Sequence, residues 1–205
     1  VYDIQMMMQA LPGVVSESDQ SNELIVRGGS AGENLFIMDN LEIPNPNHFG
    51  RVGAGGGPIN LINSDFIDKI DFFAGGFPAK YGDKQSSVMD VTLREGNKQN
   101  HEIKAEANMA GLGLTMEGPL IKNRASYMGS YKKSFLKYVI KSAGLTAIPE
   151  YWNGQTKVVY YINNKEKLTF NFITGDDIVK VDDESRPDLP NADLVDHHGN
   201  QATYG

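Results

Sequence analysis

The 205-residue chain lacks cysteine, long apolar runs and an excess of basic residues, and each lack narrows its possible functions. It contains no cysteine, which excludes disulfides, thiolate zinc sites and cysteine nucleophiles. No apolar run reaches about 18 residues, so the sequence predicts no transmembrane helix. The formal net charge is -7, from 19 basic and 26 acidic residues. This charge argues against a nucleic-acid partner, because phosphate binding needs a basic surface.

Catalytic and cofactor motifs are absent as well. The glycine-rich residues 53–57 are not followed by Gly-Lys-Ser/Thr, and Pro58 breaks the spacing of a dinucleotide-binding motif. Ser, His and Asp occur, but no nucleophile-elbow sequence joins them. The acidic residues 176–196, followed by His197-His198, match no calcium loop, so a solvated loop is favoured over a metal site. We therefore expect a protein that is not an enzyme and binds no cofactor or metal.

The first half of the chain alternates short apolar runs with turn-forming residues. Apolar side chains at helical spacing predict one short helix near the N-terminus, ended by Pro12-Gly13. Runs rich in β-branched and aromatic residues predict strands, and the first two are expected to form a pair across a loop. The predicted strands cover residues 24–26, 35–38, 70–73 and 88–93. We expect residues 1–97 to form an α/β domain with a small mixed sheet and short helices.

Other segments of this half are predicted to lack strands. Residues 14–22 are polar and are expected to form a loop. Residues 44–58 are rich in Pro, Asn and Gly, which indicates a long loop of the kind that is usually functional or mobile. Residues 59–67 could hold one or two helical turns.

Beyond His101 the pattern changes to an alternation of apolar and polar residues with a period of two, which is typical of strands. One run places Ile103, Ala105, Ala107, Met109, Gly111 and Gly113 on a single face. The predicted turns at 119–124 and 163–166 are short, whereas the connection at 136–153 is long. Strands of about 10 residues with such connections are typical of an outer-membrane barrel. A soluble antiparallel sheet is the alternative.

Five motifs, in order, resemble the plug domain of TonB-dependent outer-membrane receptors, and the resemblance spans nearly all of residues 3–97. The matching segments are residues 11–14, 25–28, 35–41, 67–82 and 88–93. The second half resembles the strands that open the barrel of these receptors. The resemblance implies a plug domain at residues 1–97, followed at 101–205 by antiparallel strands of an incomplete transmembrane β-barrel. Because the chain begins with Val1, we expect it to be an excerpt of a longer protein.

The resemblance also implies a function. Members of this family are energy-coupled transporters of the Gram-negative outer membrane, in which the plug sits in the lumen of a barrel of about 22 strands. The implied partners are TonB, through a box that would precede Val1, outer-membrane lipid, a surface lipoprotein and a scarce polar substrate such as a glycan, chelate or peptide. The alternative is a soluble plug-like binding or adhesion module at the cell surface.

By the family pattern, the outward plug loops are residues 30–34 and 45–57. The candidate ligand-binding residues in these loops are Ser30, Glu33, Asn45, Asn47, His48, Phe49 and Arg51. For His48 and Phe49, a role in anchoring the loop is the alternative. Ala74 stands where many members carry an arginine that latches the plug to barrel glutamates, so the resemblance leaves Arg27 as the latch candidate.

Overall fold

The computed structural model describes residues 4–16, 22–50, 56–108, 111–135, 147–181 and 197–205. These residues form one α-helix, two single 3-10 turns (Ala31–Glu33 and Ser64–Phe66) and fourteen strands. None of their helices is long and apolar enough to cross a membrane. The elements are α1 (Ile4–Gln9), β1 (Val14–Ser16), β2 (Leu24–Val26), β3 (Asn34–Met38), β4 (Leu41–Glu42), β5 (Asn47–His48), β6 (Ile59–Asn60), β7 (Ile67–Ala74), β8 (Ser87–Leu93), β9 (Glu102–Asn108), β10 (Gly111–Ile121), β11 (Ala125–Ser134), β12 (Ala147–Tyr161), β13 (Lys167–Val181) and β14 (His197–Tyr204).

The first half is built on a small mixed sheet with the strand order β4-β3-β8-β7. β3 and β8 run parallel, and the other two pairs are antiparallel. β3 and β4 are joined by Asp39 and Asn40, whose φ angles are 48° and 67°. Two positive φ angles are the signature of a type I′ hairpin turn, which Asn and Asp tolerate. The mixed sheet agrees with the sequence, but helices contribute less than the α/β prediction implied.

The predicted pairing of the first two strands is wrong. The sequence predicted that β2 pairs with β3. Instead, β2 pairs with β1, which lies in the segment predicted to be a polar loop, and β3 pairs with β4 and β8. The reason is that the partner of β3 is distant, since Asn34 and Ser87 are 53 positions apart. The predicted helical turns at 59–67 reduce to the two-residue β6 and one 3-10 turn. Local apolar runs identify strands but do not identify their partners.

The second half forms a six-stranded antiparallel sheet in which β9 to β14 follow one another in chain order. One face, which we call the outer face, carries apolar side chains that are 41–64% exposed. These are Leu112, Leu114, Met116, Leu168 and Phe170. The opposite, inner face carries polar side chains that are at most 9% exposed. These are Thr115, Glu117, Asn153, Gln155, Lys157, Asn171 and Asp177.

The alternation predicted beyond His101 is confirmed in β11 and β13 by their register. The long run that begins at Ile103, however, is not one strand. A hairpin divides it into β9 and β10, where Leu112 faces Ala107 and Gly113 faces Glu106. Gly111 and Gly113 therefore lie on the face opposite to Ile103. The hairpin shifts the phase of the alternation, and a shift of one residue moves every following side chain to the other face.

An apolar cluster joins the two halves. Met38 and Phe66 from the first half are fully buried against Met128 and Ile173, which project from the inner face of the large sheet. Burying a side chain of this size contributes about 1.5–3 kcal/mol. The cluster therefore fixes the first half against the centre of the inner face, and polar contacts surround it.

Candidate functional site

Side chains of the large sheet bind the backbone of the first half along the inner face. Asn153 Nδ2 donates to the Leu61 carbonyl at 3.0 Å, and Gln155 Oε1 accepts from the Asn63 N–H at 2.8 Å. The Asn153 and Gln155 side chains are 6% and 2% exposed. Since a buried backbone group without a partner costs free energy, these contacts stabilise a segment that has little regular structure of its own.

A buried ion pair lies beside these contacts. Lys157 Nζ is 2.8 Å from Asp39 Oδ2 and donates to the Leu93 carbonyl at 2.6 Å. The other oxygen of Asp39 accepts from the Leu93 N–H at 3.0 Å. The side chains of Lys157 and Asp39 are 5% and 11% exposed. The pair therefore connects the β3–β4 turn and the end of β8 to one side chain of the large sheet.

A second ion pair holds the chain just after β8. Arg94 binds Glu117 through its two terminal guanidinium nitrogens, Nη1 and Nη2, each at 2.7 Å. The Asn97 N–H donates to the same carboxylate at 2.8 Å. The fork-to-fork geometry is the strong form of this contact. It fixes residues 94–97, which lead into β9, against β10.

The Glu95 carboxylate binds three donor groups at the end of the sheet where Arg94 binds Glu117. Lys98 lies 2.6 Å and Lys167 3.0 Å from its carboxylate, and the Tyr161 hydroxyl donates at 2.8 Å. Burial raises the pKa of Glu95, but the hydrogen bonds from Lys98, Tyr161 and Lys167 outweigh it and lower the pKa to about 2. Glu95 is therefore a carboxylate at neutral pH.

The contacts at the opposite end of the sheet centre on Asp177. Its carboxylate lies 3.3 Å from His48 Nδ1 and accepts from the Phe49 N–H at 3.1 Å. The His48 ring is 1% exposed and packs on Tyr151, with 4.8 Å between the ring centroids. Tyr151 and Tyr161 are ten positions apart on β12, which is about 33 Å at the rise of an extended strand. The two contact groups thus mark the two ends of the interface.

The loop that carries His48 is tied at its base. Asn45 accepts from the Asn47 N–H at 3.0 Å and donates to the Gly56 carbonyl at 3.1 Å. Gln201, on β14, donates to the Asn45 carbonyl at 2.7 Å. Asn47 is 2% exposed and donates to the side chain of Gln5. The base of the loop is therefore bound to the large sheet and to α1.

These positions bear on the candidate ligand-binding residues. Asn47 and His48 are buried and anchor the loop, which is the role that the sequence left open for His48. Asn45 and Phe49 are half-buried beside them, and Arg51 lies outside the described residues.

In the other candidate loop, Ser30 is exposed. Glu33 accepts from the Ser30 N–H at 3.0 Å and closes the local turn. Ligand contact by any of the candidate residues stays a prediction.

The latch assignment also stays a prediction. Arg27 is exposed in a left-handed conformation with φ of 50°, and within the described ranges it forms no ion pair. Ion pairs across the interface include Lys157 with Asp39, Arg94 with Glu117, Lys104 with Asp65 and Lys167 with Glu95, none of which the sequence predicted. Lys157 and Asp39 are 118 positions apart, so no local signal in the sequence marks their contact.

The interpretation of residues 176–196 as a solvated loop is wrong for the first two residues, Asp176 and Asp177, which lie in β13. Asp177 is 7% exposed on the inner face of β13, and Asp176, on the outer face, lies 2.9 Å from His198. The structure does not describe residues 182–196. Among the described residues, no group of three or more His, Cys, Asp or Glu side chains is arranged to bind a metal.

A cleft of about 680 Å³ opens between the small sheet and the start of β13. Carboxylates and cations both line it, so its charge is mixed and its surface is polar. The charged lining residues are Asp39, Asp68, Asp71, Lys80, Asp90, Arg94, Glu95, Lys157 and Lys167. Such a cleft suits water and polar solutes.

Residues 1–88 match the family model of the TonB-dependent receptor plug domain. The chain contains a plug domain of the TonB-dependent receptor family. It is also similar to the TonB-dependent transporter Oar of Myxococcus xanthus, with 19% identity over an alignment of 140 positions. That alignment covers 55% of this chain and 12% of the relative.

The fold is similar to those of two receptors of Pseudomonas aeruginosa. A mutant of the ferric enterobactin receptor PfeA matches with a TM-score of 0.51 over 87% of this chain and 30% of that one. The siderophore receptor PirA matches with a TM-score of 0.54 over 88% and 31%. Identity is 15% in both cases, so the likeness concerns the fold. The chain thus spans less than a third of each relative, and the relatives are named as transporters or receptors rather than as enzymes.

Replacing Lys157 by Met leaves the Asp39 carboxylate buried without its cation. We expect K157M to lower the free energy of opening of β3 and β8 by about 3–5 kcal/mol. The double variant D39N/K157M should recover part of this loss, because both charges are then removed. Native-state hydrogen exchange measures the opening free energy.

The control for this cycle is K69M. Lys69 forms an exposed ion pair with Asp71 at 2.8 Å, and removing such a pair should change the opening free energy by less than about 1 kcal/mol. If the effects of D39N and K157M simply add, the two groups are not coupled.

The low pKa of Glu95 makes stability depend on pH. The folded value of about 2 lies below the ordinary value of 4.5, so the ionised carboxylate stabilises the fold above pH 4.5. This contribution should be lost as the pH falls from about 4.5 towards 2. Urea midpoints measured between pH 5 and pH 2 should therefore fall less steeply in E95Q than in the wild type. E42Q, which changes an exposed glutamate, is the control, and equal slopes for E95Q and the wild type would contradict the assignment.

Proposed function

We propose that this chain is the plug and the first six barrel strands of a TonB-dependent outer-membrane transporter. One observation carries the proposal: the plug packs on the polar face of an antiparallel sheet whose other face is apolar and exposed. A soluble sheet buries its apolar face against its own domain, whereas this one buries its polar face. Lipid is the environment that suits the remaining face.

The dimensions of the sheet support this placement. β10 has 11 residues, β11 has 10, and β12 and β13 have 15 each, while a strand needs about 9–11 residues to cross a bilayer. The Tyr131 and Trp152 rings lie together on the outer face, with 6.0 Å between their centroids. Aromatic side chains of this kind form belts at the membrane interface. By this placement the plug lies inside the lumen, at the outer membrane of a Gram-negative bacterium.

The proposed substrate is a scarce polar solute such as a glycan, chelate or peptide. The polar inner face and the charged cleft support a polar solute. The resemblance supports gating by TonB, which would pull on the chain before the plug. A chelate also fits the solved structures of similar fold, both of which are named as siderophore or ferric enterobactin receptors. A surface lipoprotein is the remaining proposed partner.

Transport is tested by growth under limitation. In the native host, growth would be followed with the gene deleted and with TonB deleted, on a panel of ferric chelates, glycans and peptides. We expect that each deletion abolishes growth on the same nutrient. Supplying the gene in trans should restore growth only when TonB is present. A nutrient that requires the gene but not TonB would contradict energy-coupled transport.

The membrane placement predicts opposite outcomes for two neighbouring residues of β13. Phe170 is 47% exposed on the outer face, so F170K should place a charge in lipid at a cost of up to about 4 kcal/mol and reduce assembly in the outer membrane. Thr169 faces the polar cleft, so T169K should assemble normally. Heat-modifiable mobility in gels of outer-membrane fractions measures assembly. Equal assembly of the two variants, with a protein soluble without detergent, would favour a surface binding module.

A further inference from the structure

The carboxylate of Asp177 binds two consecutive residues of the outward plug loop. His48 approaches one oxygen through Nδ1 at 3.3 Å, and the Phe49 N–H donates to the other at 3.1 Å. Because a carboxylate only accepts hydrogen bonds, His48 Nδ1 is the donor. One side chain of the sheet thus holds both a ring and a backbone group of the loop.

The loop conformation at this point is one that the chain does not adopt unaided. Phe49 has a φ of 58°, in the left-handed region, which costs a non-glycine residue about 1–2 kcal/mol. The surrounding structure must therefore determine this conformation. The bond from the Phe49 N–H to Asp177 is the contact that fixes the backbone at this residue.

The sheet is shaped to receive His48. A Cβ atom on Gly175 would lie 2.7 Å from His48 Cε1 and would also overlap Leu61, so only glycine leaves room for the ring. On the other side the ring packs on Tyr151. Gly175, Tyr151 and Asp177 thus form a socket on β12 and β13 for one plug side chain.

The second tie to the sheet lies at the base of the same loop, where Gln201 binds the Asn45 carbonyl. Asn45 in turn binds the Gly56 carbonyl, which closes the loop across its two ends. The start of the loop is therefore bound to β13 and β14. The end of the loop is bound to its start through the hydrogen bond between Asn45 and Gly56.

We propose that Asp177 is a positioning residue that sets the conformation of residues 45–50 in the outward plug loop. This inference rests on the proposed function, in which that loop meets the substrate. The conformation that the substrate meets is then fixed by the barrel wall and not by the plug alone. By thermodynamic linkage, a substrate that binds better to another conformation of the loop weakens the binding of the loop to Asp177.

The test compares D177L, D177N and D176L in the whole receptor, purified in detergent with no substrate added. Hydrogen exchange is measured in residues 45–50 and in the plug strands β3 and β8. D177L should speed exchange in residues 45–50 at least about tenfold and leave β3 and β8 unchanged. D177N should give an intermediate rate, because its amide oxygen can still accept from the Phe49 N–H.

D176L is the matched control, since Asp176 is the preceding residue on the same strand but projects from the outer face. Its exchange should equal that of the wild type. The proposal is overturned if D177L leaves residues 45–50 unchanged. It is also overturned if exchange in β3 and β8 rises by the same factor, because Asp177 would then stabilise the plug generally.

These outcomes are independent of the transport assay. If D177L loosens the loop and growth does not depend on TonB, the positioning role stands and the proposed function fails. If growth depends on TonB and D177L leaves the loop unchanged, the proposed function stands and the positioning role fails.

Discussion

The structure depends on one constraint: irregular plug backbone is buried, and its polar groups must be paired. Segments such as residues 61–63 have few strand partners, so Asn153 binds the Leu61 carbonyl and Gln155 binds the Asn63 N–H. Lys157 of the same sheet binds the Leu93 carbonyl. A sheet that supplies such partners must carry polar side chains on the face that is buried. The period of two then leaves the apolar side chains on the exposed face, which is the reverse of a soluble domain.

The polar character of this interface also determines how it can open. A hydrogen bond contributes only about 0.5–1.5 kcal/mol net, because water replaces the partner when the contact is broken. The apolar cluster around Met38, Phe66, Met128 and Ile173 has no such replacement and opposes separation more strongly. An interface with a small apolar centre and a wide polar margin therefore loses less free energy when its margin opens to water than a wholly apolar interface of the same size would.

The parts of the fold that could be predicted from the sequence are those with a local cause. The alternation in β11 and β13 and the strands β7 and β8 each follow from neighbouring residues. Contacts between distant residues could not be predicted. His48 and Asp177 are 129 positions apart, and nothing in the sequence near either residue identifies the other. The burial of Asn47 and His48 depends on contacts with α1 and β13, so it required the structure, and ligand contact by their loop stays a prediction.

The two ends of the interface differ in how their contacts are connected by the chain. Arg94 and Glu117 are 23 positions apart, close to the covalent link between plug and sheet, whereas His48 and Asp177 are 129 apart. Closing the longer loop costs about 1.5 kcal/mol more by chain entropy. The clamp near the link re-forms readily after any opening, because the chain keeps its groups close together. The contact at Asp177 lacks that advantage, because it forms only when the rest of the fold brings β13 against the plug.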